Sequence, residues 1–195
     1  LQRQYAEKIP VQAVTHVFKS VIKPVHLNNN RTIGGMMGNQ ANQLVPAYIH
    51  RDSAKQEGVI YSSGQRFGGT SFYIKDNYLK YVYNANKFNY FEAVSDREVP
   101  LGDVKISYAY KYNKSENNAR VELYINDEKV GETLITRFTY MVGFTSALLA
   151  NFYSPVTEDY EVPFAFTGRA DKIILRQDET EIDPRKEQEK IGTIE

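Results

Sequence analysis

The sequence contains no cysteine and no tryptophan among its 195 residues. Without cysteine, neither disulfides nor thiolate metal sites can hold the fold, which must be stabilised by packing alone. Lys plus Arg and Asp plus Glu each number 24, so the chain lacks the basic field that phosphate backbones require. No apolar run approaches the roughly 20 residues of a membrane span. These absences predict neither a nucleic-acid partner nor a membrane span.

Residues suited to metal binding or catalysis are also few. His16, His26 and His50 are the only histidines, and their spacing fits no short metal motif. No Ser-His-Asp arrangement with a nucleophile elbow is present. Carboxylates beside turns could bind Ca²⁺, but turn chemistry explains them more simply: Asp96, Asp103, Asp127, Glu158, Asp159 and Glu161. We predict no metal site, no catalytic residue and no cofactor in this chain.

What the sequence does contain is a series of short strand patterns. They are rich in aromatic and β-branched residues and recur at intervals of about 8–12 residues, which is typical of a sandwich. Residues 104–112 alternate apolar and polar side chains, as in an antiparallel sheet with one face buried. Asp76-Asn77 and Asn126-Asp127 suit two-residue hairpin turns. The predicted strands are 45–50, 58–62, 70–75, 78–84, 88–94, 104–112, 121–125, 129–135, 137–144 and 172–177.

These patterns divide the chain into three parts. Residues 1–43 combine mixed helix and strand signals with an Asn- and Gly-rich run, which favours a connector and loop. Residues 44–177 form the predicted all-β domain, in which 172–177 pairs back near the start. Residues 178–195 are charged and poor in core-forming side chains, so a loose tail is expected. Leu1 is not an initiator methionine, which predicts an excised or processed fragment.

Two stretches, residues 57–84 and 153–175, resemble the C-terminal domain of large bacterial arylsulfatases. The family pattern is E-G-V-I-x-x-x-G-x-R-F-G-G-x-S-x-Y-x-K-[DN]-x-x-L-x-Y-x-Y-N, followed by S-P-V-x-x-x-Y-x-x-P-F-x-F-T-G. The resemblance covers roughly residues 50–176. The first stretch matches at Glu57, Gly58, Gly64, Arg66, Phe67, Gly68, Gly69, Ser71, Tyr73, Lys75, Leu79, Tyr81, Tyr83 and Asn84, and the second at Ser154, Pro155, Val156, Tyr160, Pro163, Phe164, Phe166, Thr167 and Gly168.

The resemblance implies a jelly-roll, concanavalin-like β-sandwich that packs on the catalytic domain of a sulfuric ester hydrolase. The family enzyme would carry calcium and a formylglycine made from a C/S-x-P-x-R segment. This chain has no such segment, so it is expected to be inactive alone, with the catalytic sulfatase domain as its partner. Residues 141–153 lack the family's V-G-x-D-x-G pattern. A bacterial origin is implied, and the periplasm and cytoplasm both remain open.

A second interpretation is a carbohydrate-binding, lectin-like module, for which a glycan would be the partner. The chain has 15 Tyr and 10 Phe, and Tyr73, Tyr81, Tyr83, Tyr90 and Tyr124 are too many for one core. Gly64, Gly68 and Gly69 predict a bulge or tight corner where no Cβ fits, rather than a phosphate-binding loop. Arg66 in that corner could bind an anion or pair with a neighbouring carboxylate or carbonyl.

Overall fold

The computed structural model describes residues 14–27, 41–138 and 146–178, and within these ranges the regular elements are all strands. No helix in the described ranges is long and apolar enough to cross a membrane. The strands are β1 (Val14–Val21), β2 (Val25–Leu27), β3 (Asn42–Arg51), β4 (Gly58–Gln65), β5 (Gly68–Lys75), β6 (Tyr78–Asn84), β7 (Tyr90–Glu98), β8 (Gly102–Asn113), β9 (Asn118–Ile125), β10 (Glu128–Ile135), β11 (Ser146–Leu148) and β12 (Arg169–Asp178).

The strands form two six-stranded sheets that pack face to face. Sheet A has the order β1-β12-β3-β8-β9-β10, and sheet B has the order β2-β11-β4-β5-β6-β7. Neighbouring strands within both sheets are antiparallel. The predicted antiparallel sandwich is therefore confirmed, including the return of the last strand, since β12 pairs with β3 and β1.

Tyrosine and phenylalanine rings join the two sheets. Tyr108 of sheet A contacts Phe72 and Tyr81 of sheet B, with ring centroids 5.2 Å and 4.9 Å apart. Its hydroxyl donates to Oε1 of Gln43 at 3.2 Å, so the buried polar end has a partner. Burial raises the pKa of Tyr108 well above its usual value, which keeps the phenol neutral inside the sandwich.

Both predicted hairpin turns are present. Asp76 and Asn77 adopt φ values of 52° and 70°, and Asn126 and Asp127 adopt 49° and 66°. Asn and Asp tolerate this left-handed region better than other non-glycine residues, and it is the conformation that a primed two-residue turn requires. The turns fix the register in which β5 pairs with β6 and β9 pairs with β10.

The N-terminal prediction needs correction, because part of the expected connector is strand. β1 lies at the edge of sheet A beside β12, and β2 lies beside β11 in sheet B. Pro10 and the mixed periodicity obscured a β-branched segment whose Val21 is buried and whose Phe18 packs against the core. Tertiary pairing thus decides the conformation of this segment.

Other predictions fall wholly or partly on chain outside the described residues. They are the remainder of the connector and loop in 1–43, the tail from 179 onward, and most of the predicted strand 137–144. Residues 137 and 138, the first two of that predicted strand, are described and are not strand.

Residues 151–168 cross the outer face of sheet B between β11 and β12. Val59 of β4 donates its N–H to the carbonyl of Phe164 at 2.9 Å, and Phe166 donates to Leu149 at 3.0 Å. Gly58 makes this approach possible, because a Cβ there would lie 2.5 Å from the carbonyl atoms of Ala165. The crossing segment is therefore fixed to sheet B by its backbone.

Replacing Gly58 by alanine tests this close approach. Gly58 and Gly102 both have positive φ, 135° and 83°, but a Cβ at Gly102 would meet nothing within 4 Å. We expect Gly102→Ala to lower the free energy of unfolding by about 1 kcal/mol and Gly58→Ala by at least about 3 kcal/mol. Urea unfolding measures both, and equal losses would contradict the backbone contact.

Candidate functional site

Three segments meet at one end of sheet B. They are the β4–β5 turn at Arg66 and Phe67, the β6–β7 turn at residues 85–89, and residues 152–158 of the crossing segment. We call the side chains of Arg66, Phe67, Lys87, Phe88 and Tyr90 the aromatic tip; Lys87 is half-buried and the other four are exposed. Phe67 is 60% exposed and Phe88 is 82% exposed, which is unusual for two neighbouring large apolar side chains.

Glycines set the shape of the first turn. Gly64 of β4 pairs with Gly69 of β5, and Gln65 pairs with Gly68, which leaves Arg66 and Phe67 at the apex. A Cβ on Gly64 would collide with the carbonyl of Gly68, and one on Gly69 would collide with the carbonyl of Ser63. The predicted tight corner is therefore confirmed, and it presents Arg66 and Phe67 outward.

Asn84 holds the three segments together. Its amide nitrogen donates to the carbonyls of Arg66 and Val156, at 2.9 Å and 2.8 Å. Its Oδ1 accepts the N–H of Lys87 at 2.6 Å. The side chain is completely buried, so losing these bonds would leave polar groups unsatisfied.

The β6–β7 turn differs from the sequence prediction. Residues 88–94 were predicted as a strand, but β7 begins at Tyr90 and Phe88 lies in the turn. Oδ1 of Asn86 accepts the N–H groups of Phe88 and Asn89, at 3.2 Å and 3.0 Å, and Lys87 has a φ of 69°. This side-chain cap turns the backbone and exposes the Phe88 ring.

The crossing segment completes the tip. The hydroxyl of Ser154 accepts the N–H of Arg66 at 3.1 Å, which joins the first turn to this segment. Tyr153, the preceding residue, is exposed, and its ring contacts His26 edge-on at 5.4 Å. A further exposed aromatic side chain therefore lies one residue before the Ser154 contact with the first turn.

Cations lie against the exposed rings. The guanidinium carbon of Arg66 and Nζ of Lys87 are each 6.0 Å from the ring centroid of Phe67. Lys87 Nζ is also 5.9 Å from the centroid of Phe88. Such cation–π contacts add about 0.5–1 kcal/mol at exposed sites. Within residues 14–27, 41–138 and 146–178, neither cation forms an ion pair.

The residues of the resemblance motif come together in three places. Tyr73, Tyr160 and Phe164 pack on the outer face of sheet B, where the rings of Tyr160 and Phe164 stack 5.0 Å apart. At the tip lie Gly64, Arg66, Phe67, Gly68, Gly69, Ser154 and, beside Ser154 in the chain, Pro155. At the far end of the crossing segment lie Pro163, which accepts the N–H of Asn151, together with Gly58, Phe166 and Gly168.

Asp159 anchors the crossing segment electrostatically. Its carboxylate accepts hydrogen bonds from Tyr73 at 2.8 Å, Lys80 at 2.9 Å and Lys75 at 3.0 Å. Burial alone would raise the pKa of Asp159, but these bonds outweigh it and lower the pKa to about 2. The sequence analysis treated Asp159 only as a turn residue.

Both ring nitrogens of His50 have carboxylate partners. Ring nitrogens of His50 lie 2.6 Å from Asp103 and 3.1 Å from Asp52, so both are occupied by carboxylates. Among the described residues, no group of three His, Asp or Glu side chains is placed to hold a metal ion. Four of the five tyrosines singled out in the sequence are buried: Tyr81 and Tyr83 lie in the main core, Tyr73 lies in the cluster under the crossing segment, and Tyr124 lies in a small cluster on sheet A, whereas Tyr90 is 37% exposed.

The chain matches no protein-family model and no curated protein sequence. Solved structures share its fold. The CBM40 of the Ruminococcus gnavus IT-sialidase is 12% identical, with a TM-score of 0.62 over 92% of this chain and 98% of that one. Mouse laminin alpha1 chain, domains LG4-5, is 8% identical, with a TM-score of 0.56 over 86% of this chain and 41% of that one. At these identities the likeness establishes a lectin-like jelly-roll sandwich, as predicted.

Replacing Asp159 by asparagine tests the anchor. We expect the free energy of unfolding to fall by about 2 kcal/mol at neutral pH, because hydrogen bonds to a charged acceptor become neutral ones. The folded-state pKa is lowered from 3.8 to about 2. The stabilisation is therefore present above about pH 4 and is lost as the pH falls toward 2.

Urea unfolding of both proteins between pH 7 and pH 2 checks this prediction. The difference between wild type and Asp159→Asn should close as the carboxyl is protonated. Glu161→Gln, which alters an exposed carboxylate two residues away, should show no such gap. A gap that persists unchanged to pH 2 would contradict the assignment.

Proposed function

We propose that the chain is a non-catalytic carbohydrate-binding module of the lectin-like class, and that its glycan lies on the aromatic tip. The observation that carries the proposal is the exposure of Phe67 and Phe88 beside two cations that have no ion-pair partner in the described residues. An exposed aromatic ring offers an apolar face to the C–H groups of a pyranose. Its burial by a ligand removes that face from water.

The rigidity of the tip supports the proposal. Asn84, Ser154 and the Gly64–Gly69 pair fix the backbone of the turns before any ligand arrives. Binding to a preformed surface avoids the entropy cost of ordering a loop. Polar groups that could orient sugar hydroxyls are those of Asn89, which follows Phe88 in the chain, and of Tyr90 and Glu158, which interact with each other electrostatically.

The fold is compatible with this function without establishing it. A solved structure of the Ruminococcus gnavus CBM40 bound to alpha2,3 sialyllactose has a TM-score of 0.60 and 9% identity over 89% of this chain. A shared sandwich does not fix where, or whether, a ligand binds. The argument for a glycan therefore rests on the tip residues.

Alanine substitutions at the rings test the proposal. We expect Phe67→Ala and Phe88→Ala each to raise the Kd of a bound glycan about tenfold, because each removes roughly 1.4 kcal/mol of apolar contact. A glycan array finds the ligand, and calorimetry measures the Kd. Leu101→Ala is the matched control, since Leu101 is exposed at the opposite end of the sandwich. Absence of saturable binding to any glycan would refute the proposal.

A second candidate function is the accessory domain of an arylsulfatase-like enzyme. The observation that favours it is that the two motif stretches, about 70 residues apart in the chain, pack against one another through Tyr73, Tyr160 and Phe164. Such a domain would cover and stabilise the catalytic domain. The open reading frame that encodes the chain tests this role. A C/S-x-P-x-R segment upstream supports it, and a frame that encodes no catalytic domain excludes it.

A further inference from the structure

We infer that the aromatic tip selects anionic saccharides, those that carry a carboxylate or a sulfate group, over neutral ones. The inference rests on the proposed function and adds the ligand class to it. Two cations from different turns contact the ring of Phe67. Arg66 belongs to the β4–β5 turn and Lys87 belongs to the β6–β7 turn. A ligand ring placed on Phe67 would have both positive charges at its rim.

The positive charge at the tip does not reflect an excess of basic residues in the whole chain. Lys plus Arg and Asp plus Glu balance at 24 each, and many basic side chains of the sheets are neutralised locally. Lys75 and Lys80 pair with Asp159, whereas Lys111 and Lys129 pair with Glu122. The same is true of Lys105 with Asp127, Arg97 with Glu128 and Arg120 with Glu132. Arg66 and Lys87 have no such partner within the described ranges.

The chemistry of the two cations suits an acid group. The planar guanidinium of Arg66 can donate two parallel hydrogen bonds to a carboxylate or sulfate, and the ammonium of Lys87 adds a point charge. Hydrogen bonds with one ionised partner are roughly twice as strong as neutral ones. Glu158 lies near Tyr90 and faces the site with one negative charge, so the cations outnumber it.

The backbone places Lys87 at some cost. Lys87 is a non-glycine residue with a φ of 69°, and the Oδ1 of Asn84 holds its N–H at 2.6 Å. Non-glycine residues adopt this left-handed region at an energetic cost, and such residues cluster at ligand sites. This strained position brings Nζ between the rings of Phe67 and Phe88.

A glycan array with neutral, carboxylated and sulfated members tests the selectivity, followed by calorimetry on the best binders. We expect anionic glycans to bind, and Arg66→Ala and Lys87→Ala each to raise their Kd about tenfold or more. Arg66→Lys should recover part of the lost affinity, because lysine keeps the positive charge but lacks the planar guanidinium that donates two parallel hydrogen bonds. Raising NaCl from about 0.05 M to about 0.5 M should weaken binding, since exposed charges are screened.

Lys55→Ala is the matched control. It removes one exposed positive charge from the β3–β4 turn at the opposite end of the sandwich and should change the Kd less than twofold. The array distinguishes the two kinds of acid group, because carboxylated and sulfated glycans are separate members of it.

The outcomes separate this inference from the proposed function. If neutral glycans bind as well as anionic ones and Arg66→Ala has no effect, the inference is wrong while glycan binding stands. If no glycan binds saturably, both fail. If anionic glycans bind but Lys55→Ala weakens them as much as Arg66→Ala, the attraction is diffuse and the assigned site is wrong.

Discussion

The packing of residues 151–168 on the outer face of sheet B is the interaction on which the rest of the molecule depends. It buries Tyr73 and Val82, which would otherwise face water on that side of the sheet. It requires Gly58 at one end, since the backbones touch there, and places Ser154 at the other end, where it holds the Arg66 turn. The position of the tip is therefore set by a segment with almost no regular secondary structure.

Each end of the sandwich is organised by one buried polar side chain. At the tip, Asn84 binds two carbonyls and one N–H. At the opposite end, the fully buried Arg51 donates to the carbonyls of Gln56, Val99 and Ala54 and to the side chain of Asn77. Burial lowers the pKa of Arg51. Buried polar groups need such complete sets of partners, and each set fixes several turns at once.

Local chemistry made much of the fold predictable from the sequence. Asp76-Asn77 and Asn126-Asp127 specify their own turns, and the alternation through residues 104–112 specifies which face of β8 enters the core. β1 was missed because an edge strand receives its conformation from pairing with β12, a partner about 150 residues away. Phe88 was misplaced because the capping side chain of Asn86, two residues earlier, outweighs the strand preference of an aromatic residue.

The candidate site was only half visible for the same reason. Arg66 and Phe67 lie in a glycine corner whose pattern marks a tight turn, so they could be singled out. Lys87 and Phe88 join them only because β6 carries the chain back to the same end of sheet B, and that proximity exists in three dimensions alone. The signal that could have found them is the run of Asn86, Lys87 and Phe88, in which an aromatic residue stands inside a turn.

The separation between fold and site has a consequence for how such domains acquire ligands. The sandwich is shared with solved structures at 12% identity or less, so its requirements are met by many sequences. Turn residues such as Phe67 and Phe88 contribute little to the core, so we expect their exchange to leave the sheets intact. Conversely, Gly64, Gly69 and Asn84 serve the turns' geometry rather than any one ligand. A rigid turn with replaceable apical side chains allows ligand preference to change while the supporting backbone stays the same.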